Sequence, residues 1–326
     1  MSNKKIIING QEIKPGKKTI INLTTARLHT RTLIEVPIII ERSKIDGPIV
    51  LITGGIHGDE VNGVEIVRQL IHKKYNKPDI GMVICLPVVN VFGFLNQTRA
   101  FPDGRDLNRC FPGGPKGSLA SRFAHSLMSE ILPLVDYCLD YHTGGGARFN
   151  YSQIRVEGKD AKAMELAKIF GAKFIVHAPQ REKSFRESAS KIGKKVLLFE
   201  GGKTIHLDRQ VTKVGIQGAL NILHHLGIHE TKRHFDKADI QDQVEVLDSF
   251  WIRAKYAGMY RSAVRSGSWV QASDKIGSIS DPFGDFEKSV FAPNDGYILC
   301  ATHLPIVNQG DALIHISKKH NDIINN

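Results

Sequence analysis

Two hydrophobic periods alternate along the chain. Unbroken apolar runs such as Pro48-Ile-Val-Leu-Ile-Thr-Gly54 and residues 82–89 predict strands buried on both faces. Between them Val61, Val64, Val67, Leu70 and Ile71 recur at helical spacing, which predicts a strand, a glycine-rich turn and a helix in succession. The stretch 31–41 is rich in β-branched residues and predicts a further strand, its Pro37 suggesting an edge position. Residues 135–142, 172–177 and 195–200 read as strands. Residues 118–133, opened by Ser118 as N-cap, read as a helix, as do 160–169 and 208–226, the last stopped by Gly227. Strands alternating with helices in this way predict an α/β unit with a mixed, mostly parallel sheet and flanking helices.

The pattern changes after the charged connector 230–248. From Phe250 onward, short β-prone pieces are punctuated by Gly258, Gly267, Gly277, Gly284, Gly296 and Gly310, which predicts a small all-β module. The division expected is therefore an α/β unit over residues 1–240 and a β module over 241–326. A length of 326 residues accommodates both, and 41% hydrophobic with 24% charged residues excludes extended disorder.

Charge and cysteine usage narrow the partners. A net charge of +11 raises nucleic acid as a partner, but the lysines fall in scattered pairs with no basic stripe interleaved with aromatics, so no nucleic acid is expected. No run of eighteen apolar residues occurs, and the basic start is followed by only a three-residue apolar run, so neither a membrane span nor export is expected. Cys85, Cys110, Cys138 and Cys300 are dispersed without a CxxC pair, which fits reduced thiols and a cytoplasmic location.

Three strand ends carry chemistry. His57-Gly-Asp-Glu60 closes the first buried strand, where α/β sheets gather ligands, and offers zinc a nitrogen and an oxygen. With 14 histidines in the chain, HxxE alone could equally be a helix-capping acid beside a surface histidine. Asp140-Tyr-His142-Thr-Gly-Gly repeats the pattern, and His142 is the expected third ligand, with Asp140 on the same strand face behind it or simply packed there. Glu200 follows four apolar residues, where a carboxylate is costly to bury without a task; it is the expected general base, the alternative being an acid paired with a loop arginine. The loop 96–114 is too rich in arginine and glycine for a mere connection and has the character of an anion grip.

Taken together, GGIHGDE, TRAFPDGRDLNRCFPGG, DYHTGG and LLFEGG resemble, in this order over roughly residues 45–227, the succinylglutamate desuccinylase/aspartoacylase family of the zinc carboxypeptidase superfamily. The resemblance implies a zinc carboxypeptidase-like fold and one Zn2+ per chain on His57, Glu60 and His142. It also implies Arg99 polarising the scissile carbonyl, Asn108 and Arg109 gripping a substrate carboxylate, and Glu200 as base and then acid. Arg105 is a further candidate on the substrate side, and whether it or Arg99 faces the oxyanion stays open. The substrate expected is a small N-acyl amino acid; a homo-oligomer is open. The 250–316 stretch resembles the barrel-sandwich module of this family, similar to biotinyl and lipoyl domains. Its turn Phe291-Ala-Pro-Asn-Asp-Gly-Tyr297 holds no lysine, so a role at the active-site mouth or in assembly is expected rather than a carrier role. A metallo-carboxypeptidase acting on peptide C-termini and a non-catalytic binding protein are the rival readings.

Overall fold

A computed structural model describes residues 5–27, 30–235 and 242–323. Its centre is the strand Ile49–Gly54, every residue of which is buried. Alternation sends Ile49 and Leu51 to one apolar layer and Val50 and Ile52 to the other, so this single strand nucleates two cores. One core is closed by the helix Leu119–Ser126 with the N-terminal strands, the other by the helices Val61–His72, Ala161–Phe170 and Arg209–His225. The result is a mixed α/β sandwich.

Twelve strands form one sheet among the described residues. Within residues 1–240 its parallel pairings join Met82–Leu86, Ile49–Gly54, Tyr137–Gly144 and Lys195–Lys203 in a row, and Arg148–Val156 to Phe174–His177. Antiparallel pairings flank and interrupt that row, notably where Arg148–Val156 lies against Lys195–Lys203. Parallel strands dominate where His57, His142 and Glu200 are presented, because the three residues stand at the same, carboxyl-terminal ends.

Most predicted elements recur with shifted ends. The helix expected over 118–133 starts at its cap, Ser118 accepting from the Ser121 N–H, then widens over Leu127–Ile131 and ends in a short tight turn at Leu132–Leu134. Pro37 is not on the outermost strand, which is Lys18–Arg27, a strand beyond the expected set. Its strand, Leu33–Arg42, meets the inner neighbour only from Ile39 to Arg42, so the missing N–H of Pro37 faces no partner on that side. The strand Arg148–Val156 and the helix Phe185–Lys191 are additions to the expected set.

The presumed boundary at residues 240/241 lies outside the described residues. On its far side, Gln243–Arg253 pairs parallel with Phe174–His177 and antiparallel with Ala312–Ile323, carrying the main sheet into the C-terminal strands. A four-stranded sheet packs against these around a separate core that includes Tyr260, Ile276, Ile298 and Ile314. Among the described residues no helix is long and apolar enough to cross a membrane.

Candidate metal centre and surrounding cavity

The turn after Ile49–Gly54 brings His57 and Glu60 back over the strand end. Gly58 permits it: a Cβ there would collide with the backbone of Gly93 in the short helix Val91–Leu95. His57 Nδ1 lies 2.8 Å from Glu60 Oε1, and His142 Nδ1 lies 2.9 Å from Glu60 Oε2. Ligand atoms of the three residues fall within 4.8 Å of one another, and all three side chains are buried.

Both imidazoles are also held from behind. His57 Nε2 is 3.1 Å from Asp106 Oδ1, and His142 Nε2 is 2.9 Å from Asp140 Oδ2, whose other oxygen accepts from Thr53 Oγ1 at 2.7 Å. Carboxylates only accept, so without a cation each ring must carry protons on both nitrogens. Burial opposes that charge, yet the surrounding carboxylates outweigh it and raise both histidine pKa values, His142 the more strongly; the two imidazoles in turn hold Glu60 well below the usual carboxylate range against its own burial. One divalent ion in place of the two inner protons conserves charge, turns the Nδ1 lone pairs inward and leaves the outer hydrogen bonds intact. The residues present therefore fit a divalent cation, and a two-histidine, one-carboxylate set suits zinc with a coordination position to spare.

Arg99 spans the site's edge. Its NH1 donates to Glu60 Oε1 at 3.2 Å, while Nε and NH2 grip Asp106 Oδ2 at 3.1 and 2.8 Å. Asp106, not singled out from the sequence, thus links the outer nitrogen of His57 to the loop arginine, and its pKa is depressed because the His57 and Arg99 contacts overcome burial. The RDLNR spacing, with an acid between two arginines, was the available signal.

Glu200 stands beside His142 in register on the neighbouring parallel strand. A bulge after Glu200 shifts register against both neighbouring strands and uses Gly202 at φ +74°, a conformation L side chains rarely adopt. Its carboxylate accepts from Asn150 Nδ2 at 2.6 Å and lies 3.6 Å from Arg155 NH1, a strand arginine rather than a loop arginine.

These groups line one cavity of about 510 Å³ together with Asn108, Arg109, Arg148, Arg181 and Trp251. Asn108 Oδ1 accepts from the Phe185 N–H at 2.8 Å, which fixes the amide so that Nδ2 is its remaining donor group. Arg105 pairs with Asp103 at 3.3 Å, is largely exposed and does not line this cavity. Arg148, Asn150, Arg155 and Arg181 escaped sequence reading because their strand and loop carry no recognisable motif.

Comparison with known proteins bears on the family and the fold. The model of the succinylglutamate desuccinylase/aspartoacylase catalytic domain matches residues 46–226. N-alpha-acetyl-L-2,4-diaminobutyric acid deacetylase of Halomonas elongata is 29% identical over 296 residues, 84% of this chain and 83% of that protein. The crystal structure of a succinylglutamate desuccinylase/aspartoacylase from Rhodobacter sphaeroides superposes with a TM-score of 0.81 at 26% identity, covering 95% of this chain and 97% of that one. The product-bound ectoine utilization protein of Ruegeria pomeroyi shares the fold at a TM-score of 0.82 and 19% identity, covering 98% and 100%.

Proposed function

Because the chain belongs to the succinylglutamate desuccinylase/aspartoacylase family, we propose that it is a zinc-dependent deacylase that hydrolyses the amide bond of a small N-acyl amino acid. The observation that carries this reading is the pair of imidazoles that both turn Nδ1 toward Glu60 while a carboxylate holds each Nε2. His57, Glu60 and His142 would hold the ion. When bound, zinc would supply a Lewis acid that lowers the pKa of water to about 7.

The chain's own residues supply the rest. Asn108 Nδ2 and the Arg109 guanidinium bind the substrate carboxylate, which sets the acyl carbonyl near Arg99. Arg99, braced by Asp106, stabilises the negative charge that develops on the carbonyl oxygen as water oxygen adds to the carbon. Glu200 takes a proton from that water and returns it to the amide nitrogen; the C–N bond breaks, and the second proton of the water passes to the released amine, so that a carboxylate and an ammonium result. Asn150 orients the Glu200 carboxylate for both transfers. Arg105, outside the cavity, is left as a support of the loop through Asp103.

We read residues 241–326 as a barrel-sandwich unit beside the catalytic unit 1–240; its separate core and its two facing sheets support this. Trp251 and Cys300 of that unit line the cavity, in keeping with a role at the active-site mouth. The deciding experiment is a metal analysis of the purified protein followed by a screen of N-acyl amino acids and short peptides. About one zinc per chain, with chelator-sensitive release of amine from N-acyl amino acids, is expected. Cleavage of peptides alone would turn the reading to a carboxypeptidase, and protein that binds no divalent metal would end it.

A further inference from the structure

The surroundings of Glu200 decide where a proton on its carboxyl can sit. Glu200 is the middle of three residues in register across neighbouring strands, with His142 on one side and Gln153 on the other. Residues directly opposite on paired strands point the same way, with Cβ atoms about 5 Å apart. The adjacent pair fixes which way that is: Leu198 and Arg155 are also opposite each other, and both line the cavity with Glu200. Gln153 therefore faces the cavity side, yet it is 0% exposed and lies beneath the lining.

The amide of Gln153 is unspent. Neither its Nε2 nor its Oε1 has a hydrogen-bond partner among the described residues, and neither has the Nε of Arg155, two residues along the same strand face. On the far side of Gln153 the next strand places Phe174, part of a buried apolar cluster with Val176, Val244, Val246 and Leu299. An amide left unpaired beside such a cluster costs stability, and an apolar side chain of the same length would pack there at less cost. Toward Glu200 and Arg155, by contrast, the amide has an acceptor and a donor within a side-chain rotation. Turning Oε1 to the Arg155 Nε–H and Nε2 to a Glu200 oxygen pairs all three orphaned atoms at once.

We propose that Gln153 is a positioning residue for Glu200, bridging it to Arg155 while the reaction runs. The inference rests on the deacylase reading above. A carboxylate has about four lone-pair sites. Asn150 Nδ2, 2.6 Å from the carboxylate, takes one, and the Arg155 guanidinium, 3.6 Å from Oε1, covers a second. Gln153 Nε2 takes a third. The one that remains faces the cavity, so the proton drawn from water lodges only where it can be handed on to the amide nitrogen, and the carboxyl does not turn between the two transfers. Without Gln153 the proton has a second place, on the side away from the substrate.

The test is a double-mutant cycle in the full chain. Gln153→Met keeps the length of the side chain and removes both polar atoms, and Glu200→Gln removes the base. N-acetyl-L-aspartate, N-acetyl-L-glutamate and Nα-acetyl-L-2,4-diaminobutyrate are offered to the zinc-loaded wild type, and the one turned over fastest is the probe. Gln153→Met should lower kcat about tenfold or more and leave KM and the zinc dissociation constant within about twofold of the wild type. In the Glu200→Gln background the same change should cost less than about twofold, because a residue that acts through Glu200 has nothing left to position. Gln153→Asn, whose amide is one methylene short, is the second variant and should show the same pattern. In zinc-free protein Gln153→Met should melt no lower than the wild type, since the amide it replaces makes no hydrogen bond at rest. Equal losses in both backgrounds, a loss carried by KM, an unchanged kcat or a melting temperature lower by several degrees would make Gln153 a packing residue and overturn this inference, leaving the deacylase intact. Wild-type protein that releases amine from none of the three substrates would overturn both.

Discussion

Asp140→Asn isolates what the carboxylate behind His142 contributes to metal binding. Asp140 is 1% exposed and spends one oxygen on His142 Nε2 at 2.9 Å and the other on Thr53 Oγ1 at 2.7 Å. Asparagine has the same shape. Its amide oxygen can still accept from Nε2–H, and the Thr53 hydroxyl can turn to accept from the amide nitrogen, so packing and both hydrogen bonds survive. Only the negative charge is lost, and with it the added basicity that the carboxylate confers on the Nδ1 lone pair. Loss of such a partner weakens metal affinity about 10- to 100-fold, or ~1.4 to ~2.7 kcal/mol. Because a hydrogen bond remains, the lower end is expected. Zinc affinity measured by competition with a chromophoric chelator should fall about tenfold, with an unchanged far-UV circular dichroism spectrum. Thr53→Val, which takes one donor from the carboxylate, should act in the same direction and by less. An unaltered zinc dissociation constant in Asp140→Asn would refute the argument that His142 is set up for a metal from behind.

Other outcomes follow from the same geometry. Glu200→Gln should retain its zinc and lose roughly 10²- to 10⁴-fold in kcat; full turnover would remove Glu200 as the proton carrier. Arg109→Lys exchanges a planar fork for a point charge and should raise KM with little change in kcat, so an unaltered KM would move the α-carboxylate grip to another residue. His315 is driven down to about 3 by burial first and the Arg155 charge second. A histidine held neutral in the fold but free to protonate when unfolded lends full stability above about pH 6.5 and loses ~1.4 kcal/mol per pH unit below it, until about pH 3. The acid limb of a melting-temperature profile should therefore be shallower in His315→Phe than in the wild type, and parallel limbs would show that this ring does not stay neutral.

The strands Ile49–Gly54, Met82–Leu86 and Tyr137–Gly144 were legible in the sequence because both their faces are buried, which writes an uninterrupted apolar run into the chain. Arg148–Val156 is different. It buries one face against the cavity with Asn150 and Arg155, and its polar residues read as loop when the cavity is not known. The same reason hid Lys18–Arg27, an outer strand that mixes lysine, asparagine and threonine with its apolar positions. Positions His57, Glu60, His142 and Glu200 could be singled out because each follows an apolar run and precedes a break. Asp106 carried only the weak signal of an acid between Arg105 and Arg109, since its meaning lies in a contact with His57 that spans 49 residues.

That contrast bears on how the site is built. The groups that would hold the ion and move the proton all stand on strand ends of the first unit, where local sequence dictates geometry. Part of the cavity wall lies across a seam. Arg148 belongs to the first unit and is aimed by Trp251 and Thr302 of the second, through a strand pairing that no local pattern encodes. A change in the C-terminal unit can therefore reshape this wall of the cavity while His57, Glu60 and His142 stay in place. Turning one guanidinium at this seam redistributes charge across a cavity whose acids are already paired.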